Sequence, residues 1–256
     1  MSKIMSKRII LYLIFLVVTL LYFILTHYIA LFAHEWTHGT VAWIFGYKSN
    51  PFNIYYGIDK WKDLIIFPNV DEAVNYLGIS FSGHPYIAGI IAITPPVITN
   101  GGLFLVFSYL SSFKSLQKRP WLYYFIFWLV IMNLGNWLDY IPVRTFSTHA
   151  DIGNFIKGFG ISPWWVYIIG TYILIFFLWH FFKIQIPRAY EIMNINSTAG
   201  RAILLFIVLV TLFYFFGGTG RSAVKFNYTC NVISYSFIAA IPLMMFFLWP
   251  SKKYHL

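Results

Sequence analysis

Six long apolar runs constrain this chain more than any other feature. They lie at about residues 9–32, 87–107, 121–138, 164–182, 202–216 and 232–249. Each approaches the ~20 residues that a helix needs to cross the hydrocarbon core of a bilayer. The fifth is the shortest and stops at Gly217-Gly218. Only 10% of the 256 residues are charged and 59% are hydrophobic, where soluble domains carry roughly 25% charge. A disordered chain is excluded, and an ordinary soluble domain does not fit. The first run is too long for the apolar part of a signal peptide and no A-x-A-like site follows it, so it reads as a span. The expected fold is an all-α polytopic membrane protein with about six transmembrane helices, one membrane domain over residues 1–256.

The net charge is +10. The basic residues fall in short clusters between apolar runs, such as Lys3-Lys7-Arg8, Lys114-Lys118-Arg119 and Lys252-Lys253. That distribution anchors membrane edges and is not a nucleic-acid surface. With the N-terminus inside, inner segments hold 11 Lys and Arg and outer segments 7, so both termini are expected to be cytoplasmic. The single cysteine, Cys230, excludes an internal disulfide and a thiolate zinc site. The longest loop, about residues 47–80, contains two stretches rich in β-formers, at 52–57 and 61–67. Asp59 and Lys60 separate them and Pro68 closes the second, so a small β-rich hairpin is expected after the first helix.

The first span runs into His34-Glu35-Trp36-Thr37-His38. In a helix, residues four apart share a face, so His34 and His38 can hold one metal ion. Glu35 is placed to take a proton from a water at that ion. Neutral imidazoles suit zinc, and three protein ligands leave one position open. Chance matches to the looser pattern H-[DE]-x-x-H should occur roughly 0.006 times in a chain of this composition. A third ligand is needed. Asp139, His149 and Asp151 all follow the third span, whose C-terminal end emerges on the same side as that of the first. Any of the three can serve by that argument. Glu191, the only glutamate after Glu72, falls on the opposite side.

These segments resemble the site-2 protease family of intramembrane zinc metalloproteases. The matching residues are His34-Glu35-Trp36-Thr37-His38, then Thr94-Pro95-Pro96-Val97-Ile98-Thr99-Asn100, then Asn136 with Pro142 and Asp151-Ile152-Gly153. The resemblance covers about residues 20–155, and the three further spans in 160–256 carry no matching motif. It implies a bound Zn2+ held by His34, His38 and Asp151, with Glu35 as the catalytic base. It also implies a membrane protein or peptide as substrate, with an extended stretch adding to an edge of the loop hairpin. The chain departs from the family pattern in two places. Pro142 precedes Asp151 by nine residues, and Gly153 stands one place late.

Other polar residues have structural readings beside functional ones. Asn100 suits a freed helix carbonyl or a substrate backbone. Arg144 suits an ion pair with Asp139 or Asp151, or an oxyanion. His27 shares a helical face with His34 and is a candidate outer partner. His84 reads as a loop histidine, and His180 and His255 as interfacial. Counted from residue 9, His34 lies roughly 38 Å along the first helix, at the far membrane edge. Two other functions fit the sequence less well. A histidine-box oxygenase needs more histidine pairs than this chain has. A transporter or scaffold with a vestigial motif lacks intramembrane charges in its last three spans.

Overall fold

The computed structural model describes residues 2–61, 63–67, 69–221 and 227–250. Lys62, Pro68, Lys225, Lys252, Lys253 and His255 lie outside the described residues. Among the described residues, six helices are long and apolar enough to cross a membrane: α1 (Ser2–Ile44, with its apolar part at Tyr12–Ile44), α4 (Pro85–Leu110), α6 (Pro120–Val143), α8 (Pro163–Ile192), α9 (Thr198–Phe216) and α10 (Tyr228–Phe247). Among the described residues, four short α-helices, α2 (Asp63–Ile66), α3 (Tyr76–Phe81), α5 (Lys114–Gln117) and α7 (Ala150–Phe159), and a 3-10 turn at Thr219–Arg221 lie in the connections. This is a multi-pass helical membrane protein.

Successive spans alternate in direction, as contacts at both ends show. At one end Thr19 meets Tyr124 (2.9 Å), and Ser111 meets Gln185 (2.9 Å) and Arg188 (3.3 Å). At the other, the C-terminal parts of α1 and α6 and the turn after α9 come together. The core centres on α6, where Tyr123, Tyr124, Phe127 and Trp128 are fully buried. The outer faces of α1, α8 and α10 expose Leu, Ile and aromatic side chains, as a lipid-facing helix does.

Two sequence expectations are corrected. First, the described residues contain no strand, and the loop after α1 is not β-rich. Its only bridge joins Tyr55 to Asp71. The Asp63 carboxylate accepts from the N–H groups of Asp59 (3.1 Å) and Lys60 (2.8 Å) and closes a turn. The second β-former stretch therefore carries a short helix, and the described residues of the loop form no hairpin edge for a substrate to join. Second, the first span does not end at residue 32. It continues to Ile44, ten residues or ~15 Å past His34. His34 thus sits inside the apolar helix and not at its edge.

The loop then folds back along α1. His27 Nε2 donates to the Ile66 carbonyl (3.0 Å) and the Tyr28 hydroxyl to that of Leu64. Phe67 packs edge-on against Tyr28 and Phe32. These contacts reach two helical turns back from His34. They also give loop carbonyls partners where lipid would offer none. Gly39 makes the return possible, because a Cβ there would lie 2.1 Å from the Pro51 carbonyl oxygen.

Candidate metal centre

α1 presents His34, Glu35 and His38 to the protein interior; all three are buried. Trp36 and Trp43 point outward from the same helix. α4 runs antiparallel beside it. Pro95 and Pro96 cannot supply amide donors, and the helix widens to five-residue spacing over Pro95–Gly101. That wide turn carries Asn100, fully buried, with its Nδ2 3.0 Å from His34 Nδ1. Thr99 meets Thr37 at 2.7 Å.

α7 delivers Asp151 from its first turn. It lies close on α4 because both helices carry glycine at the crossing. A Cβ on Gly158 would meet the Pro85 oxygen at 2.4 Å and the Gly89 Cα at 2.9 Å. Asp151 is held by α7 and not by a loop. Ala150, just before it, holds a left-handed φ of 68°, a conformation unusual for alanine.

The result is a tight triad. Asp151 Oδ2 lies 3.0 Å from His34 Nε2 and 3.2 Å from His38 Nε2, and the two imidazole nitrogens are 3.2 Å apart. Ligand atoms at 2.0–2.1 Å from a tetrahedral zinc stand roughly 3.3 Å from one another. The chemistry of the donors fits a cation as well. His38 Nδ1 donates to the Ile91 carbonyl (2.9 Å), which turns its Nε2 toward Asp151 Oδ2 and His34 Nε2, and a cation bound there would take the place of the protons between them. Asn100 Oδ1 is buried without a partner. If a cation displaces the His34 proton from Nε2 to Nδ1, turning the Asn100 amide over gives Oδ1 that N–H to accept.

Around the triad lies a second group. Glu35, His38 and Glu72 offer ligand atoms within 4.8 Å of one another. Glu72 comes from the loop and is buried. The Tyr76 phenol lies 3.1 Å from His38 Nδ1 and hydrogen-bonds Glu72. Burial first, and the Glu72 charge next, hold the Tyr76 hydroxyl well above the ordinary phenol range, so it stays a donor. Burial alone would raise the Asp151 carboxyl. The adjacent histidines, His38 foremost, outweigh it and hold the group well below the ordinary carboxylate range.

Of the candidate third ligands, the structure brings only Asp151 to the histidines. Asp139 pairs with Arg144 at 2.6 Å and accepts from the Thr219 hydroxyl. His149 precedes α7 and makes its contact through its backbone, to Ser147 Oγ (3.2 Å). His27 bonds the loop and not His34. His84 bonds the Tyr47 hydroxyl at 2.8 Å. Asn100 serves a histidine in place of a helix carbonyl, which the sequence reading missed. It also missed Glu72, Tyr76 and Tyr140, whose ring stacks on His34 at 4.6 Å and 12°. No motif flags them, since they meet the site only through the fold.

No protein-family model, curated protein or solved structure matches this chain.

Proposed function

We propose that this protein is a zinc-dependent membrane endopeptidase of the site-2 protease kind, cutting peptide bonds of transmembrane or membrane-associated substrates. The observation that carries the reading is the convergence of His34 Nε2, His38 Nε2 and Asp151 Oδ2 within 3.2 Å, with Glu35 buried beside them. These three side chains would hold the ion, and Asn100 and the Ile91 carbonyl orient the two rings behind it. A bound zinc supplies Lewis acidity, polarising a carbonyl and making water acidic near pH 7. Glu35 takes a proton from the attacking water as its oxygen adds to the scissile carbonyl carbon. It then gives that proton to the amine as the C–N bond breaks. A substrate helix must unwind locally first, because its peptide bonds are covered by their own hydrogen bonds.

The same reading places both termini in the cytoplasm, on the charge bias of the loops. The test uses detergent-purified protein and a panel of single-span fusion substrates. Glu35→Gln is expected to keep about one zinc per chain by elemental analysis and to lose cleavage by at least ~100-fold. Cleavage at the wild-type rate by that variant would overturn Glu35 as base. Wild-type protein without zinc after reconstitution would overturn the enzyme reading altogether.

A further inference from the structure

We propose that the three C-terminal spans brace the metal ligand His34 through Tyr140, which makes Tyr140 a positioning residue of the centre. The inference rests on the metal reading above and asks what α8, α9 and α10 add to a site to which they contribute no ligand. A hydrogen bond at Nδ1 fixes one point of an imidazole but leaves the ring free to swing about it. A ligand must be held within about 10–20° of its productive direction. His38 has two contacts at Nδ1, from the Ile91 carbonyl and Tyr76. His34 has one there, from Asn100, and its plane is set by the Tyr140 ring lying parallel at 4.6 Å.

Tyr140 is itself held. It lies in the wide, broken turn Asp139–Val143 that ends α6, where Ile141 leaves helical geometry. The Arg144 guanidinium sits 5.0 Å over the Tyr140 ring and binds Asp139 at 2.6 Å. The Thr219 hydroxyl, from the turn after α9, donates to the same carboxylate. From α8, Gly170 admits Ile141, whose Cγ2 would lie 2.1 Å from a Cβ there, and its carbonyl accepts from Trp137 Nε1 at 3.2 Å. Gly220 lets Val143 and Ser234 of α10 close on the turn from another side. Asn227, at the start of α10, donates to the Phe146 carbonyl at 2.6 Å. All three C-terminal spans therefore converge on the segment that carries Tyr140.

The experiment loads full-length detergent-purified protein with Co2+ or Zn2+ and follows release to a chelator, with the Co2+ absorption bands as the reporter of ligand geometry. Tyr140→Phe keeps the stack and is expected to release metal within about two-fold of wild type. Tyr140→Leu removes it and is expected to release metal about 10–100-fold faster, with altered Co2+ bands. Thr219→Val leaves the ring in place, loosens its support, and is expected to speed release several-fold. Should Tyr140→Leu fail to fold, Thr219→Val decides. Release at the wild-type rate with unchanged bands, in Tyr140→Leu or, failing that, in Thr219→Val, overturns the brace while leaving the metal centre standing. Wild-type protein that takes up neither ion overturns the metal reading, and the brace with it.

Discussion

Two buried aspartates flank Tyr140 in sequence, and they are partnered in opposite ways. Asp139 is neutralised from within the chain, by the Arg144 guanidinium and the Thr219 hydroxyl. Among the described residues, the ion-pair partners of Asp151 are two imidazoles. A buried carboxylate needs a partner, because removing its charge from water is costly. Asp139 has a guanidinium, which stays charged, and Asp151 has imidazoles, which can be neutral. On the proposed metal reading, that difference separates a structural aspartate from a ligand more sharply than burial does, since both are buried.

The comparison breaks most visibly on mutation without metal. Asp139→Ala takes the carboxylate away from a mostly buried guanidinium, and breaking a buried ion pair from one side costs about 3–5 kcal/mol. In thermal melts of metal-free protein this variant is expected to fall far below wild type or to fail to accumulate folded. Asp151→Asn leaves behind only imidazoles, which can shed a proton where a guanidinium cannot, and is expected to lose less stability than Asp139→Ala in the same melts. Equal destabilisation of the two variants would show that Asp151 also has a structural role, and the contrast would collapse.

Adding metal reverses the order. A ligand at 100 times its Kd stabilises the state that binds it by about 2.7 kcal/mol. Wild-type protein is expected to gain a shift of that size with zinc and to lose it to a chelator. Asp151→Asn and His38→Ala are expected to gain little. A full zinc shift in Asp151→Asn would move the third ligand elsewhere.

The same contrast explains what was legible in the sequence. Asp139 and Arg144 are five residues apart, so their pairing is a local matter. The His34–Asp151 contact spans 117 residues. Topology narrowed it to Asp139, His149 or Asp151, because His34 and His38 share a helical face and the third span ends on the same side, and only the family resemblance singled out Asp151. The length of α1 was misread because hydropathy averages over faces. His34, Glu35, Thr37 and His38 look like a polar end, yet the helix continues with Trp36, Trp43 and Ile44 facing outward. The loop was misread because β-propensity in residues 61–67 yields to the turn that Asp63 closes. Nothing local ties Glu72 or Tyr76 to His38, since only the return of the loop along α1 joins them.

That return yields the smallest predicted effect. Tyr76→Phe keeps the ring and deletes one hydroxyl between Glu72 and His38. Losing one such hydrogen bond costs about 0.5–1.5 kcal/mol, or roughly 2- to 12-fold faster metal release. The same contact predicts a pH effect whose sign follows from the raised phenol value. The unfolded phenol titrates near 10, and the docked one titrates well above that. Its contribution to docking is therefore complete below about pH 10 and is lost as pH rises through the docked value. Hydrogen exchange over residues 69–83 should speed up in strong alkali in wild type, and less so in Tyr76→Phe, which has no phenol to ionise. If both respond alike, the loop is held by its other contacts with α1, and Tyr76 does not couple it to His38.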